Sequence, residues 1–202
     1  MASKNPGKVM ELKSMLRGTD LEVRSLRDFP EIPDITEDGK SFFENALLKA
    51  RTVAKLTGET VLADDSGLEV DALGGAPGIY SSRYAGPDAT DEKNIRKLLA
   101  ELEGTLLEKR TAAFRCILVY FRPDGTYQTF EGRWPGRILF EPRGKGGFGY
   151  DPVFEDLQIG LTAAELPPDL KNAVSHRGQA FARFREWVDQ ERQKAKGKGQ
   201  RP

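Results

Sequence analysis

The feature that most limits what this chain can become is the run Leu62-Ala63-Asp64-Asp65-Ser66-Gly67-Leu68, in which two adjacent carboxylates follow directly on an apolar stretch. Val61-Leu62-Ala63 reads as a buried strand, which puts Asp64 and Asp65 at its carboxyl end, where open α/β sheets bind ligands. Two neighbouring carboxylates in such a place are costly to bury unless something cationic neutralises them. The run therefore predicts a sheet with a charged site on it.

The flanking segments supply the helices. From Lys8, the residues Val9, Leu12, Met15 and Leu16 recur at helical spacing, with Ser3-Lys4-Asn5-Pro6-Gly7 as the loop at that helix's N-terminus. Leu21 to Leu26 predicts a weak strand, and Pro30 to Lys40 an acidic, proline-bearing loop. Ser41 and Glu44 form an S-x-x-E capping pattern. Behind it an apolar stripe of Phe43, Ala46, Leu47, Ala50, Val53 and Ala54 runs to about Leu56 before Thr57-Gly58. Beyond the glycine-rich loop Gly74 to Gly78, Thr90 caps a helix with Asp91 and Glu92 in its first turn and Ile95, Leu98, Leu99 and Leu102 on one face.

Ala112 to Phe121 predicts a long strand, Pro123-Asp124-Gly125 a reversal, and Thr126 to Trp134 the returning strand. An antiparallel hairpin inside an otherwise α/β pattern predicts a mixed sheet. A last helix begins near Ser175 and carries Phe181, Phe184, Trp187 and Val188. Residues 194–202 are basic and glycine-bearing, and are expected to be a disordered tail. Residues 1–193 then make one domain of two lobes, with no internal repeat.

A length of 202 residues suffices for a substantial core without disulfides. The only cysteine, Cys116, stands in an apolar run and reads as a buried small hydrophobe, which suits a reducing cytoplasm. Lysine plus arginine, 31, equal aspartate plus glutamate, 31, so there is no electrostatic case for a nucleic-acid polymer as partner. Apolar runs such as Ile117 to Phe121 are too short to cross a bilayer, and the start has no basic, then apolar, leader pattern. A soluble protein acting on a small molecule is the expectation.

Two phosphate-loop patterns fail on inspection. Lys4 to Lys8 resembles the end of a Walker A loop, but Ala2 stands where the first glycine belongs and Val9 where Ser or Thr should hold the metal. Gly144 to Gly149 satisfies G-x-G-x-x-G, yet Tyr150-Asp151-Pro152-Val153-Phe154 reads as turn then strand, whereas the dinucleotide fingerprint opens a helix. What survives is Lys8 with the backbone amides at the first helix's start, a terminus with partial positive charge and free donors for phosphate. An ordinary turn with a solvated lysine is the bland alternative.

Magnesium on a nucleotide needs only one or two protein carboxylates, because phosphates and waters complete its shell. Glu44, Asp64 and Asp65 are the candidates, although the capping pattern accounts for Glu44 without any metal. Asp71 is left aside as a loop residue, and Tyr80, Arg83 and Tyr84 are assigned to surface packing. The single histidine, His176, stands beside Arg177. A lone histidine is usually structural, but a donor pair there suits the oxo oxygen of a purine, where adenine presents an amino donor.

Taken together, these segments closely resemble the inosine triphosphate pyrophosphatase family, the RdgB-like purine nucleoside triphosphate pyrophosphatases. The likeness covers nearly the whole chain. It rests on Ser3 to Lys8, on Phe43-Glu44-Asn45-Ala46 with Lys49-Ala50, and on Ala63 to Gly78 with Tyr80 to Tyr84. Gly146 to Phe154, Thr162 to Leu166 and Ser175 to Ala180 complete it.

The resemblance implies a long, twisted mixed sheet flanked by helices, with the nucleotide in a cleft between two lobes, usually in a homodimer. It implies Mg2+-dependent hydrolysis of ITP, dITP or XTP to the monophosphate and pyrophosphate, which clears deaminated purines from the nucleotide pool. By the same resemblance Asp65 activates water and holds the metal, with Glu44 as second ligand. Ser3, Lys4, Asn5, Pro6, Gly7, Lys8, Ser66, Phe148, Gly149, Tyr150, Asp151, Lys171, His176 and Arg177 are then the substrate contacts. Phe148 or Tyr150 would give the base a stacking face. One departure stands out: only Met1 and Ala2 precede Ser3, where family members carry an apolar strand, so the first strand is expected to be nearly absent. Two alternatives remain at this point: a Maf-like pyrophosphatase of pyrimidine or modified nucleotides, and a module that binds purine nucleotides without cleaving them.

Overall fold

A computed structural model describes residues 1–16 and 22–198. Its elements are α1 (Pro6–Met15), α2 (Phe42–Thr57), β1 (Val61–Val70), α3 (Asp91–Glu101), β2 (Thr111–Phe121), β3 (Tyr127–Ile138), β4 (Phe154–Glu155), α4 (Pro168–Val174) and α5 (His176–Lys198). The strands lie in the order β1-β2-β3-β4. The expected α/β architecture, a sheet flanked by helices, is present. All three pairings among the described strands are antiparallel, so no described ladder carries the mixed character expected of the sheet.

Local chemistry accounts for the helix ends. Ser41 accepts from the Glu44 amide at the start of α2, and Gly58 closes that helix in the left-handed conformation. The reciprocal half of the capping box is displaced by one residue, because the Glu44 carboxylate accepts from the Lys40 amide instead of that of Ser41. Thr90 caps α3 through the Lys93 amide, and Asn5 caps α1 by accepting from the Gly7 and Lys8 amides.

Several expectations are corrected. No strand forms over the described residues 22–26: Ser25 and Asp28 satisfy each other's backbone in a capping box that opens a short 3-10 turn, Leu26–Asp28, while Leu21 lies outside the described residues. Strand β1 does not stop at Ala63 but continues to Val70, which leaves Asp64 and Asp65 in mid-strand. Helix α5 continues to Lys198, through residues 194–198 of the segment expected to be disordered; residues 199–202 lie outside the described residues. A short helix not foreseen, α4, precedes it. No strand is assigned to residues 1–5, and Ala2 is buried with its amide bonded to the Leu62 carbonyl at 2.8 Å.

Side chains alternate faces along a strand, and three apolar clusters follow from that period. Val61 and Ala63 of β1, with Ile117, Val119 and Phe121 of β2, pack under Ala46, Ala50, Val53 and Ala54 of α2. Leu62, Cys116, Leu118 and Phe130, from the alternate positions, pack under Leu12 of α1 and Ala180, Phe181 and Phe184 of α5. Further along that same face Leu68, Phe114, Trp134 and Ile138 meet Ile95, Leu98 and Leu102 of α3. Cys116 is fully buried, and burial pushes its thiol up to about 12, so it packs as a hydrophobe.

The start of α5 lies directly on β3. A Cβ at Gly132 would stand 1.8 Å from the His176 carbonyl oxygen, and one at Gly178 would stand 1.8 Å from the Asn172 carbonyl oxygen. Only glycine permits these two approaches, which together set the depth of His176 and Arg177. No described helix is long and apolar enough to cross a membrane.

Candidate active site

Because successive strand residues face opposite ways, the adjacent carboxylates serve two different walls of one cleft. Asp64 points toward α1 and α5. Lys8 Nζ lies 2.8 Å and Arg177 Nε 3.3 Å from its Oδ2, and its side chain has no exposed surface. Burial alone would push this carboxyl up, but Lys8 and Arg177, then Lys49, outweigh it and hold Asp64 well below the usual carboxylate range. Asp64 is thus an anchor that stays ionised.

Asp65 points the other way, toward α2. Lys49 Nζ contacts its Oδ1 at 2.9 Å and Asn45 Nδ2 donates to its Oδ2 at 3.3 Å. The same ammonium contacts Glu37 Oε1 at 3.0 Å. Burial raises the Asp65 carboxyl above its ordinary value; Lys49 opposes the rise and Glu37 adds to it. Burial acts to lower the Lys49 ammonium, but Asp65, Asp64 and Glu37 reverse that and keep it charged. A raised carboxyl beside a fixed cation is a better proton acceptor than a solvated one.

A second network links the first helix to the last. Glu11 of α1 receives Arg177 at 2.8 Å and Lys171 at 3.1 Å. Lys171 reaches Asp151 at 2.6 Å, and Arg177 NH2 donates to Ser66 Oγ at 2.8 Å. Asp151 accepts from the Phe148 amide and Asp91 from the Gly149 amide, which pins the 148–151 turn. The Phe148 ring carries Lys171 4.9 Å and Arg177 5.2 Å from its centroid.

The cleft these groups line has a volume of about 430 Å³, within the range of small-molecule sites. Ser3, Lys4, Asn5 and Lys8 border it, as do Asp65 and Ser66, Phe148 to Asp151, and His176 with Arg177. Lys171 stands behind Asp151, while Pro6 and Gly7 open α1, with Gly7 against the Phe148 ring. Residues from five separate parts of the chain are therefore brought to one place.

Glu44 is not among the residues that border the cleft. It is exposed, and its carboxylate accepts from the Lys40 amide. The second carboxylate at the Asp65 wall is Glu37, from the loop assigned no chemistry in the sequence reading. Lys49, Asn45 and Glu11 were also missed as site residues. A signal existed for two of them: Asn45 and Lys49 are one turn apart, and both fall on the buried face of α2 among its alanines.

A cleft with buried cations for a polyanion, an aromatic face and a basic carboxyl defines a nucleotide-cleaving α/β protein. The comparisons narrow that class. Residues 1–187 match the model of the Ham1 family. A dITP/XTP pyrophosphatase of Geobacter sulfurreducens is 54% identical over 182 residues, covering 90% of this chain and 92% of that protein. One of Yersinia pseudotuberculosis is 53% identical over 183 residues, covering 90% and 92%. Among solved structures, a HAM1 protein from Coxiella burnetii superposes with a TM-score of 0.85 at 44% identity, covering 93% of this chain and 96% of that one. The chain belongs to the Ham1 family.

Proposed function

We propose that this chain hydrolyses deaminated purine nucleoside triphosphates, ITP, dITP and XTP, to the monophosphate and pyrophosphate. The observation that carries this reading is the Asp65 carboxyl, buried in the cleft wall, made more basic by that burial and oriented by Lys49 and Asn45. The names of the relatives supply the substrate class. In the proposed step a water loses a proton to Asp65 as its oxygen bonds to the α-phosphorus, and the bond from that phosphorus to the α,β-bridging oxygen breaks, with pyrophosphate leaving. Lys4 and Lys8, on the cleft wall beside the start of α1, offset the phosphate charge, so that positioning and electrostatics do most of the catalysis.

Among the described residues no three acidic, histidine or cysteine side chains form a metal cage. The donor set nevertheless fits a magnesium that arrives on the nucleotide, because Asp65 and Glu37 already meet on a single cation, the Lys49 ammonium. Those two residues would hold it, and Glu37 replaces Glu44 in that role. The metal would supply charge neutralisation on the phosphates. His176 and Arg177 read the 6-oxo group of the base.

One assay tests the reading: pyrophosphate release with magnesium from ITP, dITP, XTP, GTP, ATP and dTTP. ITP, dITP and XTP are expected to dominate. Release from none of them would sink the enzyme, and a preference for dTTP would favour a Maf-like activity. In the same assay Glu37→Gln is expected to raise the magnesium needed for half-maximal rate about tenfold or more. Glu44→Gln is expected to leave that requirement unchanged and the helix cap nearly intact, since glutamine still accepts from the Lys40 amide. The reverse pattern would return the metal to Glu44.

A further inference from the structure

His176 is the only histidine of the chain, and among the described residues no hydrogen bond at Nδ1 orients it. Its Nδ1 is sealed from solvent and has no hydrogen-bond partner, although the ring borders the cleft. A histidine is ordinarily set in tautomer and angle by the bond its second nitrogen makes. Here the setting comes from a ring. Phe114 of β2 lies 4.8 Å from the imidazole centroid with only 12° between the planes, whereas Trp134, its cross-strand neighbour, is 6.4 Å away.

We propose that Phe114 is a positioning residue which, by stacking on His176, fixes the plane of the imidazole, while the sealing of Nδ1 selects the Nε2–H tautomer and leaves that donor turned to the cleft. The inference rests on the base-reading role assigned to His176 above. Sealing Nδ1 without a partner leaves either an orphaned N–H or an orphaned lone pair. Buried N–H groups without acceptors are the rarer of the two, so the proton resides on Nε2. Burial first, then Arg177 and Lys171, hold the imidazole below its ordinary pKa against the pull of Asp64, which keeps the ring neutral.

A neutral, non-rotating Nε2–H is a permanent donor. It complements the oxo oxygen of hypoxanthine or xanthine and opposes the amino group of adenine, and a polar site of this kind rejects a mismatched partner strongly. Phe114 therefore contributes to substrate choice without needing to bond the base. The supporting ring is itself locked, with Phe154 at 4.5 Å and Trp134 at 6.1 Å.

The single histidine makes the test direct. Protein labelled with ¹⁵N-histidine should show one set of long-range ¹H–¹⁵N correlations, pyrrole-type at Nε2 and pyridine-type at Nδ1. The opposite assignment, or averaged shifts, would overturn the proposal. In kinetics, Phe114→Leu should narrow the ratio of kcat/KM for ITP over ATP about tenfold, equivalent to ~1.4 kcal/mol, with kcat on saturating ITP retained. Leu102→Ala, which loosens the same apolar cluster away from the stacked rings, should lower stability and leave the ratio intact. Equal effects of the two substitutions would reduce Phe114 to ordinary packing. A wild type that does not prefer ITP would defeat the base-reading role itself; a wild type that does, with an unchanged ratio in Phe114→Leu, defeats only the positioning.

Discussion

Asp65→Asn is expected to lower kcat for ITP by roughly 10²- to 10⁴-fold while leaving nucleotide binding largely in place, because it removes the proton acceptor and keeps nearly the same shape. The amide keeps one acceptor for Lys49, which Glu37 also still holds, and gives up only the longer contact from Asn45, because its nitrogen would face the Asn45 Nδ2 donor. Binding of ITP in the absence of turnover, followed by calorimetry, separates the two effects. A variant that retains more than about a tenth of wild-type kcat would move the general base elsewhere in the cleft. Asp64→Asn would not serve as a substitute. Asp64 is ionised in a buried pair, and its loss disturbs Lys8 and Arg177 before any chemistry is reached.

The second large effect is on stability. Arg177→Met should cost about 3 kcal/mol, because breaking a buried ion pair by removing one partner strands the other charge. Asp64 would keep Lys8 and Glu11 would keep Lys171, which places the loss at the low end of that range. The measurement is the urea midpoint at unchanged slope. A loss under ~1 kcal/mol would mean that the guanidinium's own desolvation cancels its contacts. The sign of the pH dependence follows from Asp64. Its folded carboxyl is depressed, so its contribution is present above the unfolded value, about pH 4, and fades as the pH falls toward the folded one. In Arg177→Met that acid-side loss should be smaller, because one of the cations depressing Asp64 is gone.

How much of this was legible in the sequence depends on the range of the interactions involved. The α3 helix, the β2–β3 hairpin and the α2 caps were legible because a cap, a turn or an apolar period is written within a few residues. The strand expected before Leu26 failed for the same kind of reason, since Ser25 and Asp28 offer the backbone a local alternative to a ladder. The end of β1 was misplaced because Asp64, Asp65 and Ser66 look like a strand's terminus. They are tolerated in mid-strand only because cations from α1, α2 and α5 reach them.

The sequence by itself determined that paired carboxylates on an apolar strand, a lysine at a helix start and a late His-Arg pair belong to one phosphate-handling protein. Period, capping and ordered motifs carry that much, since each is local or additive along the chain. Only the tertiary structure decided how the pair divides, Asp64 to the α5 wall and Asp65 to the α2 wall, and which second carboxylate joins Asp65. Glu37 and Glu44 are seven positions apart in one acidic stretch, and nothing local distinguishes them. A loop can turn its side chain into a cleft formed by distant elements, while a helix N-terminus commits its carboxylate to the nearest free amide.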